Sequence, residues 1–370
     1  MTQDSTCVIY VFVPLRYRWH TYFQYLLIGT KLGMIRMNKL LMTAAFAASA
    51  MWAGNTANAV TLKLAAFVPP TSVSGSRVLT PIAEMIEKES NGDLKIKIYY
   101  GGQLGRSPRK QYELVTNGVA DLAYIVDIYT SGQFPDTSIF ELPYNIKNGT
   151  EGSLARWRMY EAGYLRGYKD VKAVGLWMSE PGGIHTRKPM SSLADIKGMK
   201  IRATGRVATA YLKQFGAIPV GMPVTKVTEA IDRGVLDGLM QSWVGLVTFR
   251  THNVVKYHYE APVGALTFSI VLNKGQWNKL SASQQALINK YGGEYMARKA
   301  GNAFDTLGHE RKVKHQKDAD RKFISLSDAE LTKARAAVQP IYDDWIKNTP
   351  DGQKKLDALQ GMLAEIRSKK

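Results

Sequence analysis

LADIKGMKIRATGRVATAYLKQFGAIPVGMPVTKVTEAIDRGVLDGLMQSW, residues 193–243, is the stretch whose reading decides the fold. Its pattern is strand, helix, strand, helix, strand. The turn at Lys197-Gly198 opens a short strand, Met199 to Ala203, with Arg202 at its C-terminal end. Val207, Ala210, Tyr211 and Phe215 then fall on one helical face, and Gly216 supplies the stop. Ile218 to Met222 is a second short apolar run. Val224, Val227, Ala230 and Ile231 form another helical stripe, with Thr225 as N-cap and Gly234 as the stop. Ligands of open α/β sheets bind beyond the carboxyl ends of the strands. Arg202 is therefore placed where a cationic fork can meet an anion.

Upstream the same alternation recurs. Val60 to Ala66 alternates as a strand, ended by Phe67-Val68-Pro69-Pro70. Val78 to Glu89 is helical, Leu94 to Tyr100 alternates again, Pro108 to Thr116 suits a helix, and Ala120 to Val126 is a buried strand. This β-α-β-α-β order predicts a parallel sheet with helices on both faces. Ala173 to Met178 is a further strand, and the breaker Glu180-Pro181-Gly182-Gly183 marks a crossing into a second domain. Ala265 to Leu272 crosses back. The remainder is helical: Ser281 to Lys299, a long stretch from Asp305, then Ser327 to Lys347. Ser327 and Glu330 form a capping box, and Pro340 should kink or split that last helix. The expected units are 60–179 plus 267–306 and 180–266 plus 307–370. Two α/β domains joined by crossing strands make the two-domain periplasmic-binding-protein fold, with a hinged cleft and long C-terminal helices.

Six words of this sequence, in order, resemble the solute-binding proteins of TRAP (tripartite ATP-independent periplasmic) transporters, the DctP-like family. They are YYGGQLG at 99–105, NGVADLAY at 117–124, FELPY at 140–144, LADIKGMKIR, FGAIPVGMPVTKVTEAIDRGVLDG, and LNKGQWNKLSASQQALI at 272–288. The resemblance runs from about residue 60 to the C-terminus. It implies a periplasmic receptor that closes two domains on a small organic acid. It also implies delivery to a pair of small and large membrane permease subunits driven by an ion gradient, with no ATPase and no cofactor. Two other classes remain open: a secreted hydrolase or lyase on the same fold, told apart by turnover, and a sensor module that presents its ligand to a receptor kinase.

The leader fits export. Residues 37–59 read MNKLLMTAAFAASAMWAGNTANA: a positive start at Lys39, an apolar core from Leu40 to Trp52, and a small-x-small site at Ala57-Asn58-Ala59. That core is too short to span a bilayer. Residues 1–36 then read as an over-extended start, with Met37 or Met34 as the natural one. The whole chain of 370 residues carries 49 basic and 31 acidic side chains, a net charge of +18. Without residues 1–59, 44 basic face 30 acidic groups, a net charge of +14. The basic residues are scattered rather than clustered, which reads as a solvated surface that attracts anions, not a nucleic-acid footprint. Cleavage also removes Cys7, the only cysteine, and with it any disulfide, thiol nucleophile or cysteine-ligated metal.

No dinucleotide, phosphate-loop, nucleophile-elbow or zincin motif occurs. His252 and His258, like His309 and His315, lie six apart, which does not put both rings on one helical face for a metal. Arg202 is the sharp candidate, because a guanidinium binds a carboxylate through two parallel hydrogen bonds. The residues alone leave two roles open, a ligand contact or a salt bridge to an acid such as Asp195. In the family, the arginine of this K-x-R word binds the ligand's carboxylate, and Arg202 occupies its place. Arg206 reads as solvated or as a latch. Many members also carry a second cleft arginine, and an ungapped count back from Arg202 puts Gly182 there. Without that charge a monocarboxylate with an apolar, aromatic or hydroxylated body fits best, unless Arg187 or His185 stands in. Strand ends supply the other expected contacts: Phe67, Tyr124, Asp127, Glu180, His185, Gln241 and Trp243. Gln241 takes the place of the family's polar contact. Trp177 and Phe268 read as core.

Overall fold

The computed structural model describes residues 59–263 and 265–369. The readings made for residues 1–58, the early start and nearly all of the leader, lie outside the described residues. The first strands are β1 (Val60–Ala65), β2 (Leu94–Tyr99), β3 (Leu122–Val126) and β4 (Val171–Met178). Among them lie helices α1 (Thr80–Glu89), α2 (Gln111–Thr116) and α3 (Gly149–Glu161). Next come β5 (Gly182–Thr186), β6 (Lys200–Ala203), α4 (Arg206–Gln214), β7 (Ile218–Gly221), α5 (Val227–Asp232), β8 (Gly238–Gln241), α6 (Trp243–Thr248) and β9 (Tyr257–Val263). The chain ends with β10 (Thr267–Asn273), α7 (Ala282–Tyr291), α8 (Gly293–Gln316), β11 (Lys322–Ser325), α9 (Asp328–Ala337), α10 (Gln339–Lys347) and α11 (Gly352–Ser368).

Two sheets result, in the orders β2-β1-β3-β10-β4 and β11-β9-β5-β8-β6-β7. The chain leaves the first sheet at Met178, enters the second at Gly182, and returns between Val263 and Thr267. The first sheet is mixed rather than parallel. β1 pairs in parallel with β2 and β3, but β10 comes back from the second lobe and runs antiparallel to both β3 and β4. β3 carries no polar face, LAYIV being buried throughout, as a strand covered on both sides requires.

Arg202 is the penultimate residue of β6, in register with Val220 of β7 and Leu239 of β8. The stops at Gly216 and Gly234 take positive φ, 78° and 76°, where a side chain would strain the backbone. The capping role given to Thr225 is not found: a 3₁₀ turn, Val224–Lys226, precedes α5, whose cap makes no side-chain bond. At the other end, Ser327 and Glu330 form the capping box, and the helix expected to run to Lys347 divides at Val338 just before Pro340.

Two expectations about the helices need correction. Ser281 to Lys299 is not one helix. It breaks at Gly292-Gly293, where Gly293 has φ of 53° and a Cβ on Gly292 would overlap the Val174 carbonyl oxygen of β4. The close approach needs glycine, so α7 ends there and α8 starts. The C-terminal helix, assigned to the second domain with 307–370, instead packs on α3 of the first lobe. Arg367 pairs with the buried Glu151 at 2.7 Å, and Lys355 with the buried Asp136 at 2.6 Å. α8 braces both lobes. Its Asp305 accepts hydrogen bonds from the Gly149 and Thr150 N–H groups at the start of α3 (2.6 and 2.8 Å), and its Arg311 donates to the Val244 carbonyl of α6 at 2.9 Å.

Candidate functional site

Among the described residues two arginines are fully buried, and only one has an anion. Arg156 of α3 pairs with Asp127 at 2.6 Å and donates to the Trp177 carbonyl (2.8 Å), the Phe268 carbonyl, Tyr168 Oη (3.0 Å) and Ser269 Oγ (3.1 Å). Among the described residues, Arg202 of β6 donates only to neutral acceptors: the Met222 carbonyl at 3.1 Å, Gln241 Oε1 at 3.3 Å and Tyr129 Oη at 2.6 Å. Asp195, the alternative partner, instead closes a capping box with Ser192 and accepts from Ser191. A buried guanidinium without a carboxylate is costly to desolvate, and the arrangement favours an anion beside it. Arg202 also reaches across the lobes, because Tyr129 follows β3 in the first sheet.

Gln241 completes the polar head. Arg202 holds its Oε1, so its Nε2 points away, buried and without a partner among the described residues. Gly245 lets it turn there, since a Cβ at that position would overlap Nε2. An unpaired buried donor beside a cation suits a second carboxylate oxygen.

Next to this head lies an aromatic pocket between the lobes. Phe67, Tyr124, Phe268 and Phe304 line it from the first lobe, Gln241 and Phe249 from the second. Tyr124 stacks on Phe67 and Phe268 with ring centroids 5.4 Å apart in both pairs. Phe268, expected in the core, is buried in the first lobe's hydrophobic cluster and also forms a wall of this pocket. Tyr129, Phe249 and Phe304 carried no signal in the sequence, since the residues that face a cleft from a helix or a 3₁₀ turn follow no strand-end rule.

Four expected contacts part company here. Asp127 is not in the pocket: its carboxylate is taken by Arg156 and by Ser269 Oγ at 2.5 Å. Glu180, His185 and Trp243 line a different, larger cavity of about 650 Å³ on the hinge side, with Lys147, Asp305 and Lys312. Glu180 Oε1 accepts from the Val244 N–H at 2.8 Å, and burial pushes its carboxyl up to about 8. Trp243 is lobe core, stacked on Phe323 and His315. Arg187, the possible stand-in charge, is exposed beside Gly234. Gly182 has a steric reason to be glycine. It is squeezed in β5 between β8 and β9, and any Cβ would overlap the Gln241 carbonyl oxygen.

A model of the bacterial extracellular solute-binding proteins, family 7 (DctP), matches residues 64–348, well over half of the chain. The chain belongs to this family. It is a TRAP-type solute-binding protein of the DctP kind, and the family's members are binding proteins rather than enzymes. The fold matches a marine-metagenome TRAP solute-binding protein specific for aromatic acid ligands, in complex with metahydroxyphenylacetate, at TM-score 0.78 and 31% identity, over 83% of this chain and 99% of that one. It also matches a TRAP solute-binding protein from Rhodoferax ferrireducens in complex with copurified benzoate, at TM-score 0.77 and 26% identity, over 84% and 99% of the two chains. A solute-binding protein of Albidiferax ferrireducens is 28% identical over 70% of this chain and 77% of its own length.

The hinge-side histidines give a pH prediction. His185 Nδ1 meets His258 Nδ1 at 2.9 Å, and His185 Nε2 meets the Gln241 carbonyl at 3.0 Å. Burial lowers His185 to about 4, and burial with the neighbouring His185 lowers His258 further. Both rings are neutral in the fold, whereas unfolded imidazoles titrate near 6.5. Below that pH the unfolded chain binds more protons, so this contribution to stability is present above about 6.5 and is lost as the pH falls toward 4. His258→Asn should reduce the slope of unfolding free energy against pH by up to about 1.4 kcal/mol per pH unit over that window. Urea titrations at pH 7, 6, 5 and 4.5 read it, and an unchanged slope contradicts the assignment.

Proposed function

We propose that this receptor captures an aryl monocarboxylate in the cleft and passes it, unchanged, to the membrane subunits of a TRAP permease. The observation that carries the reading is Arg202: a fully buried guanidinium with no anion of its own among the described residues, bonded to Tyr129 and Gln241, which line an aromatic pocket between the lobes. The carboxylate takes the fork of Arg202 and the free Nε2 of Gln241. The ring lies among Phe67, Tyr124, Phe249, Phe268 and Phe304, where offset and edge contacts add to the area buried. Among the described residues a second carboxylate has no second cation, because Gly182 admits no side chain and Arg187 faces solvent. The two relatives bound to metahydroxyphenylacetate and benzoate support the same class. Export through the leader at 37–59, with cleavage after Ala59, places the receptor in the periplasm.

A thermal-shift series tests this. Benzoate, 3-hydroxybenzoate and mandelate should stabilise the protein, and succinate and malonate should not. A ligand at 100 times its dissociation constant adds about 2.7 kcal/mol, a rise of roughly 5 °C in Tm for a chain of this size. Stabilisation by the dicarboxylates alone overturns the reading. Chromatography of the recovered ligand should find it unaltered, and a product would speak for an enzyme.

A further inference from the structure

Tyr124 carries a hydroxyl that its packing does not require. Its ring lies near-parallel to Phe67, Trp177 and Phe268, at interplanar angles of 20°, 20° and 23°, in a stack a phenylalanine would fill as well. The side chain is almost wholly buried, and a buried hydroxyl is costly unless bonded. One bond is present: Ser74 Oγ donates to Tyr124 Oη at 3.0 Å. The proton of Tyr124 itself finds no acceptor among the described residues. Burial keeps that phenol protonated, so it remains a donor.

The surrounding backbone is built to present this pair. Ser74 opens a π-helical turn, Ser74–Leu79, a geometry that recurs at functional sites. Gly75 permits it, since a Cβ there would come within 2.5 Å of the Pro70 carbonyl oxygen. Ser72 Oγ accepts from the Gly75 N–H at 3.0 Å and fixes the turn. Ser72, Ser74 and Tyr124 all line the aromatic pocket, on the lobe opposite Arg202 and Gln241.

We infer that the Ser74–Tyr124 hydroxyl pair reads a hydroxyl on the ligand's ring, making this receptor selective for hydroxylated over unsubstituted aryl carboxylates. The inference rests on the aryl-carboxylate reading of the same cleft. Lobe two takes the carboxylate; lobe one donates the Tyr124 proton to the ring oxygen. An unsubstituted ring leaves that donor buried and unpaired, and a site built to bond a hydroxyl rejects the analogue that lacks it.

Calorimetric titration of the full receptor with benzoate, 3-hydroxybenzoate and 4-hydroxybenzoate tests it. One hydroxylated isomer should bind the native protein at least about tenfold more tightly than benzoate, a gap of roughly 1.4 kcal/mol. In Tyr124→Phe the ratio of the two dissociation constants should collapse toward one. In Ser74→Ala it should shrink, which keeps the test open should Tyr124→Phe misfold. Arg202→Ala should weaken both acids together. Benzoate binding with no preference for a hydroxylated isomer, or a preference that survives in Tyr124→Phe, overturns the inference and leaves the aryl-carboxylate reading standing. Failure of every aryl acid to bind the native protein overturns both.

Discussion

Arg202→Ala should weaken capture of an aryl carboxylate by roughly 30-fold to several thousand-fold, because truncating one partner of a buried, hydrogen-bonded charge pair costs about 2–5 kcal/mol. Arg202→Lys should restore only part of the loss. An ammonium cannot reproduce the planar fork that spans two carboxylate oxygens. The ligand-free protein should keep its melting temperature in Arg202→Ala. Its partners there are a backbone carbonyl, an amide and a phenol, so removing the charge strands no buried anion. Arg206→Ala should cost far less affinity, since Arg206 is exposed and donates to Thr349 Oγ1 at 2.9 Å rather than into the pocket. Calorimetric titration beside a ligand-free melt separates the cases. Normal binding by Arg202→Ala, or unfolding of its ligand-free form, contradicts the assigned role.

What the sequence made legible is what local periodicity encodes. β6, α4, β7 and β8 fall in the segment 193–243, because their apolar spacing and glycine stops are complete within a few residues. β5 opens inside the expected breaker Glu180-Pro181-Gly182-Gly183. GGIHT has the composition of a loop, and its glycines serve a purpose no single strand shows: backbone pressed between β8 and β9 on both sides. β11 pairs with β9 at a separation of more than sixty residues, and its four-residue run KFIS has no period to announce it. The destination of α11 is likewise set by ion pairs to Glu151 and Asp136, far back in the chain. The site divides the same way. Arg202 and Gln241 lie at the C-terminal ends of β6 and β8, Phe67 just beyond β1 and Tyr124 within β3, all within reach of a rule that looks along the strands. Phe304 comes from α8 and Tyr129 from a 3₁₀ turn, and only tertiary packing brings them in.

Asp127 shows how that rule misleads, and it carries the second large effect. It follows β3 directly, where a ligand contact is expected, yet α3 brings Arg156 against it 29 residues later. Asp127→Ala should therefore act on folding. It leaves Arg156 buried without its counter-ion, which typically costs about 3–5 kcal/mol. Arg156→Ala should cost a similar amount by stranding the carboxylate. The double variant Asp127→Leu with Arg156→Met should recover much of the loss, because an apolar pair of similar volume removes the uncompensated charge instead of exposing it. The neighbours set a limit on recovery: Ser269 Oγ and Tyr168 Oη both bond this pair, and the apolar replacement leaves them without it. Urea unfolding of the three variants measures these changes, and titration of the folded fraction measures affinity separately. Asp127→Ala should bind aryl acids nearly as well as the native protein wherever it is folded. Lost binding at unchanged stability would return Asp127 to the ligand site and place the carboxylate of this receptor, not only its guanidinium, against the solute.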